Sequence, residues 1–115
     1  MRIRRQFEFQ AAHSLPRHPG KCRRLHGHTY RLVVTVDRPV DPMTGMVMDF
    51  ADLREVVGRH VLDEMDHGSM NDLMDNPTAE EMTTWIWNRL AESLPGLVEI
   101  ELHETRDCSV IYRGD

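Results

Sequence analysis

The sequence lacks long apolar runs and contains little cysteine. No apolar stretch approaches the ~20 residues that a membrane-spanning helix needs. Residues 1–5 contain three arginines instead of the apolar core of a signal peptide, so we expect a cytoplasmic protein. Two cysteines, Cys22 and Cys108, are too few for a disulfide framework. A reducing compartment would keep both thiols free, the alternative being a single bridge between them.

Internal repeats, low-complexity segments and linkers are also absent. The 115 residues can bury one hydrophobic core but have little chain to spare. We therefore expect one domain spanning residues 1–115.

Charge is unevenly distributed along the chain. Residues 1–38 carry nine Lys or Arg and two acids, a balance of +7, whereas residues 46–82 carry a balance of −8. Such asymmetry can indicate a nucleic-acid-binding module, but the basic residues are patchily distributed and form no single run. The basic loop, defined as residues 17–24, instead suits a small anionic ligand, unless it is simply solvated.

Alternation of apolar and polar residues predicts four strands. In the first, the odd positions from Ile3 to His13 form the inward face, and the other strands show the same period of two. The predicted strands are 2–13, 26–38, 97–105 and 108–113.

Two helices are predicted between the second and third strands. Asp49 is the expected N-cap of the first, and Gly68 its expected end. Thr78 opens the second with a capping box closed by Glu81, and Pro95 follows its end. The ββααββ order indicates an α+β fold, with a four-stranded antiparallel sheet and two helices on one face. Because uncovered edge strands invite pairing, we also expect an oligomer whose sheets close into a barrel.

Three histidines fall on the inward phase of the first two strands. His13 ends the first strand, and His26 and His28 precede Tyr30 at the start of the second. If these strands pair, the three imidazoles converge. Three neutral nitrogen ligands with one position left open are typical of catalytic zinc. The alternative is that they are ordinary polar residues at strand ends.

Glu104 continues the inward phase of the third strand, after Val98, Ile100 and Leu102. A carboxylate in an apolar phase is costly unless it is paired. It therefore either lies in a pocket that holds something with donors, or emerges into water at the strand end.

Cys22 lies between Lys21 and Arg23, and neighbouring cations favour a reactive thiolate. The alternative is a small residue in a turn. Cys108 has an apolar setting, and we expect it to be structural.

Asp66 and His67 close the first predicted helix. They resemble an Asp-oriented imidazole that moves protons, the alternative being a cation favoured by the helix dipole. No comparable arrangement surrounds His18, His60 or His103, which we expect to be structural or solvent-facing.

Taken together, the motifs resemble those of the 6-pyruvoyl-tetrahydropterin synthase family, and most closely its bacterial 6-carboxy-tetrahydropterin synthase branch. They occur in the family's order over essentially the whole chain. The matching segments are 9–13, Cys22 with 26–28, 45–50, 66–67, 76–80, 85–87, 104–105 and 111–114.

The resemblance implies the tunnelling fold (T-fold). Family members assemble as homohexamers of two stacked trimers, with sheets closed into barrels and active sites at subunit interfaces. It also implies that zinc is bound by three residues, His13, His26 and His28.

The resemblance assigns further roles to residues of the site. Cys22 would be the general base on the substrate side chain, and His67 with Asp66 would relay protons. Glu104 would hold the pterin ring through its ring N–H and amino groups and share in the relay. Substrate binding would also involve Thr78 and Glu80.

The implied substrate is 7,8-dihydroneopterin triphosphate, a small molecule, with no nucleic acid or membrane as partner. The implied products are 6-carboxy-5,6,7,8-tetrahydropterin, acetaldehyde and triphosphate, in queuosine biosynthesis. One alternative is 6-pyruvoyl-tetrahydropterin formation, which releases no acetaldehyde. Another is a non-catalytic, zinc-stabilised module that binds pterins or purines.

Overall fold

Two long strands form the centre of the molecule. In the computed structural model, which describes residues 1–115, strand β1 (Arg2–His13) pairs antiparallel with β2 (His26–Asp37) along its full length. The register places Arg2 opposite Asp37 and His13 opposite His26. The loop between the strands contains a 3₁₀ turn, Lys21–Arg23.

Three further strands complete the sheet. Strand β4 (Leu97–His103) pairs antiparallel with β2, and β5 (Ser109–Tyr112) pairs antiparallel with β4. Strand β3 (Gly68–Ser69) lies parallel to the end of β1, giving the order β3-β1-β2-β4-β5.

The expected four-stranded antiparallel sheet is therefore wrong, because the sheet has five strands and is mixed. A two-residue strand shows no alternation from which it could be predicted. Its pairing arises where the chain passes β1 after the first helical region. There the amide of His67 donates to the Gln10 carbonyl at 2.6 Å.

The first helical region runs without a break through three segments. These are α1 (Phe50–Val57), a π-helical segment (Gly58–Leu62) and α2 (Asp63–Met65). The Asp49 carboxylate accepts from the amide of Ala51 at 2.8 Å, which confirms the predicted N-cap. The predicted end at Gly68 is wrong, because the left-handed conformation belongs to His67, with φ of 62°.

A short 3₁₀ turn (Met70–Asp72) precedes the second helix, α3 (Ala79–Ala91). The Thr78 hydroxyl accepts from the amide of Glu81 at 3.1 Å, as expected of an N-cap. The amide of Thr78 donates to the Asn76 carbonyl instead of to a Glu81 carboxylate. Only one half of the predicted capping box is therefore formed.

The hydrophobic core lies between the helices and the inward face of the sheet, which confirms the α+β class. Sheet and helices both contribute fully buried side chains, among them Phe9, Tyr30, Leu32, Leu53, Val57, Met82, Ile86 and Leu102. Burial of each such side chain stabilises the fold by about 1.5–3 kcal/mol. This burial determines which face of each strand packs against the helices. None of the helices combines the length and the apolar character needed to cross a membrane.

Candidate active site

The three predicted histidines converge at one end of the sheet. His13 is fully buried, His26 and His28 are half-buried, and one ligand atom from each lies within 4.8 Å of the others. The strand register explains this arrangement. His13 pairs with His26, and His28 pairs with Ala11 on the same face, so all three rings leave the sheet together.

Main-chain carbonyls orient two of the rings. His13 Nδ1 lies 2.7 Å from the carbonyl oxygen of Pro77, and His26 Nδ1 lies 2.7 Å from that of Arg24. Because a carbonyl oxygen only accepts, each Nδ1 carries the proton and donates it. Each Nε2 therefore keeps its lone pair for another partner, which is the arrangement of metal-binding histidines.

The third ring supplies a direct test of whether the site fits a metal. His28 Nε2 is buried and has no hydrogen-bond partner. Burial lowers the pKa of His28, while the nearby Glu104 opposes that shift. An unsatisfied buried group of this kind costs about 1–3 kcal/mol. A metal ion would satisfy it, and three neutral imidazoles are a donor set that suits Zn²⁺.

Glu104 follows β4 and faces the histidine cluster. Its carboxylate oxygens lie 3.9 Å from His13 Nε2 and 4.0 Å from His28 Nε2. The side chain is 28% exposed and lines a cavity, so the pocket alternative holds for its position. The amide of Glu104 donates to the Cys108 carbonyl at 3.0 Å, which folds the β4–β5 loop back on itself.

Tyr30 lies beneath the cluster and was missed by sequence analysis. It is fully buried, stacks on Phe9, and places its hydroxyl 3.3 Å from His13 Nδ1. Burial raises the pKa of Tyr30, and Glu104 adds to that effect, so the hydroxyl stays protonated. The inward strand phase of Tyr30 was the available signal, but it is equally typical of a core aromatic residue.

One cavity of about 350 Å³ contains Glu104, the carboxylate that faces the histidine cluster, but none of the three histidines lines it. It brings together four residues singled out from the sequence, Cys22, Thr78, Glu80 and Glu104. The β4–β5 loop and the basic loop both contribute to its lining, as does the start of α3. A thiol, a helix N-terminus and two carboxylates thus share a space large enough for a small molecule.

Cys108 also lines this cavity and is exposed, so the expectation of an apolar, structural cysteine is wrong. Its apolar neighbours in sequence, such as Val110, belong to β5, whereas Cys108 itself lies in the preceding loop. His18 is solvent-facing as expected, but it too lines the cavity.

Asp66 and His67 lie outside the cavity that contains Cys22. His67 Nδ1 is 3.0 Å from Asp66 Oδ1, and the same oxygen accepts from the amide of Gln10 at 2.9 Å. The His67 side chain is 79% exposed and lines a different cavity, of about 420 Å³, together with Gln10, Thr29 and the candidate metal ligand His28. The geometry is that of an Asp-oriented imidazole, but one chain does not bring it into the cavity of Cys22.

Comparison with known proteins bears on which family the chain belongs to. The family model described as 6-pyruvoyl tetrahydropterin synthase matches residues 2–115. A 6-carboxy-5,6,7,8-tetrahydropterin synthase of Synechocystis sp. is 44% identical over 117 residues, covering 96% of this chain and 91% of that protein. A dihydroneopterin monophosphate aldolase of Pyrococcus furiosus is 40% identical over 100 residues, covering 87% of this chain and 83% of that protein.

A solved structure shares the whole fold. The 6-pyruvoyl tetrahydropterin synthase of Caenorhabditis elegans superimposes with a TM-score of 0.91 at 27% identity, over 100% of this chain and 96% of that one. Sequence and structure both match over essentially the full length of the chain. This protein therefore belongs to the 6-pyruvoyl tetrahydropterin synthase family.

Proposed function

We propose that this protein converts 7,8-dihydroneopterin triphosphate to 6-carboxy-5,6,7,8-tetrahydropterin, acetaldehyde and triphosphate, a step of queuosine biosynthesis. The observation that carries the proposal is the convergence of three imidazoles beside Glu104, whose carboxylate also lines the cavity that contains the Cys22 thiol. The 44% identity to a 6-carboxy-5,6,7,8-tetrahydropterin synthase supports this choice of reaction.

His13, His26 and His28 would hold the metal, which we propose to be Zn²⁺. Zinc bound there would act as a Lewis acid that polarises side-chain oxygens of the substrate. The protein's contribution is orientation, because the Pro77 and Arg24 carbonyls fix two of the rings before any ion arrives.

The cavity residues would bind the substrate and move its protons. The Glu104 carboxylate, at the end of β4, is placed to accept from the two donors on the edge of a pterin ring. Cys22, which lines the same cavity, would remove a proton from the three-carbon side chain. Triphosphate then leaves, and one water adds to the side chain to supply the second carboxylate oxygen. Retro-aldol-type cleavage of a carbon–carbon bond then releases acetaldehyde. Thr78 and Glu80 would bind the substrate from the start of α3, and the basic loop would attract the triphosphate.

We further propose that His67 and Asp66 reach Cys22 from a neighbouring subunit of a homohexamer. Within one chain His67 and Cys22 line separate cavities. Two sheet edges remain available for assembly. On its outer side β1 pairs with β3 only at Ala11 and Ala12, and β5 has β4 as its single neighbour. Joining such edges between subunits would close the sheets into a barrel and unite the two half-sites.

The test is incubation of zinc-loaded protein with 7,8-dihydroneopterin triphosphate, followed by mass identification of the products. Formation of acetaldehyde with 6-carboxy-5,6,7,8-tetrahydropterin supports the proposal. A 6-pyruvoyl product without acetaldehyde refutes it in favour of the alternative suggested by the Caenorhabditis elegans structure. A pterin-binding module without catalysis predicts no turnover by the unmodified protein and normal pterin binding by Cys22→Ala.

A further inference from the structure

We infer that Cys22 and Cys108 form a redox-sensitive thiol pair, which a peroxide joins into an intramolecular disulfide across the cavity. They are the chain's two cysteines, both are free, and both line the same space. They are separated by 86 positions in sequence, so their meeting is a product of the fold.

A disulfide holds its two Cβ atoms about 3.5–4.5 Å apart. Because Cys22 and Cys108 line the same cavity as free thiols, the loops that carry them must bring the two residues to that separation before the bond can form. The disulfide would then span the space in which the substrate is proposed to bind.

Both cysteines belong to segments that can make this movement. Cys22 lies in a single 3₁₀ turn, and its carbonyl accepts from the amide of Leu15 at 2.9 Å. Cys108 lies in the loop between β4 and β5, next to a four-residue edge strand. Neither residue lies within a helix or strand of the core, and surface loops move more readily than the elements they connect.

The two thiols differ in exposure, which determines the expected order of their oxidation. In the single chain Cys108 is exposed and Cys22 is half-buried, so Cys108 is the more accessible of the two thiols to a peroxide. Its sulfur attacks the peroxide O–O bond, giving a sulfenic acid and one water. Cys22 loses its proton to solvent, and the resulting thiolate attacks that sulfur. The leaving hydroxyl takes up a proton from solvent and departs as a second water. Two thiols are oxidised to one disulfide, and hydrogen peroxide is reduced to two waters.

The effect on activity rests on the proposed function, in which Cys22 is the general base. The disulfide removes that base and blocks the cavity in front of Glu104. The candidate metal ligands are three histidines and include neither sulfur, so bound zinc is expected to remain in place. Loss of turnover with retention of zinc separates the disulfide from general oxidative unfolding.

The experiment treats zinc-loaded protein with hydrogen peroxide and maps its peptides by mass spectrometry without reduction. We expect one linked peptide pair containing Cys22 and Cys108, a monomeric band on a non-reducing denaturing gel, and turnover that dithiothreitol restores. Cys108→Ser is the matched control. It should yield no linked peptide, and its peroxide-treated Cys22 should progress to oxidised acids that dithiothreitol does not reverse.

Two results would overturn the inference: separate oxidation of the two thiols without a linked peptide, or links only between chains. Peptide mapping does not depend on turnover. If the disulfide forms but activity persists, the role of Cys22 as base fails while the thiol pair stands. If the disulfide does not form but Cys22→Ala abolishes turnover, the thiol pair fails while the proposed function stands.

Discussion

The replacement His28→Ala should have opposite consequences for the metal-free and the zinc-loaded protein. In the metal-free protein, His28 Nε2 is buried without a partner, a cost of about 1–3 kcal/mol that the replacement removes. That gain offsets much of the packing lost with the ring, so the free energy of unfolding should change by less than about 1 kcal/mol. In the presence of zinc, the unmodified protein gains about 4 kcal/mol when zinc is at 1,000 times its Kd. His28→Ala should lose most of that gain.

The assay is denaturant unfolding with a chelator and then with excess zinc, carried out on both proteins. His103→Ala is the matched control, because the His103 side chain is 14% exposed against 18% for His28. His103 instead contacts Glu101 at 2.9 Å, away from the cluster, and its replacement should leave the zinc-dependent gain intact. A full zinc-dependent gain in His28→Ala would refute the assignment of this ring as a ligand. A large loss of stability in its metal-free form would refute the argument from the unpaired nitrogen.

Three further predictions concern binding, pH and backbone conformation. Glu104→Gln should reduce kcat/KM by about 10- to 100-fold, as expected for the loss of a charge-assisted hydrogen bond, and steady-state kinetics with the pterin triphosphate measures this. The hydrogen bond from Arg2 lowers the pKa of Asp37. The stabilisation by Asp37 should therefore be complete above about pH 4, the ordinary pKa of aspartate, and be lost as pH falls through the lowered value. Unfolding of Asp37→Asn across this range tests it, and a difference from the unmodified protein that persists at the lowest pH contradicts it. Gly96→Ala should destabilise the protein by about 1–3 kcal/mol, because Gly96 has φ of +88° and a Cβ there would lie 2.7 Å from the Asp37 carbonyl oxygen. Gly58→Ala, which meets nothing within 4 Å, is its control in the same thermal unfolding measurement and should not destabilise.

The strand phase of the histidines was predictable because two simple rules act together. A period of two assigns each side chain to a face, and antiparallel pairing brings the end of β1 beside the start of β2. His13 therefore had to meet His26, as the register shows. The position of Glu104 follows from the same phase, since it continues the inward residues of β4 into the cavity.

Other features depend on contacts that carry no local pattern. Strand β3 has two residues, so its parallel pairing with β1 shows no periodicity. Cys108 lies in a loop, where neighbours in sequence do not determine neighbours in space. His67 and Cys22 line separate cavities, and neither of the segments that carry them has a periodicity from which this separation could be predicted.

The carbonyl acceptors behind His13 and His26 affect which substitutions the site tolerates. Both acceptors are main-chain oxygens, of Pro77 and Arg24, so replacing either side chain does not delete the acceptor. The path of the backbone therefore determines the tautomer of each ring, and the tautomer can be retained when the surrounding side chains are substituted. Chain insertions or deletions near positions 24 and 77 are the changes that would disturb it. Sequence variation among functional relatives should accordingly spare the spacing of these two segments more than their composition.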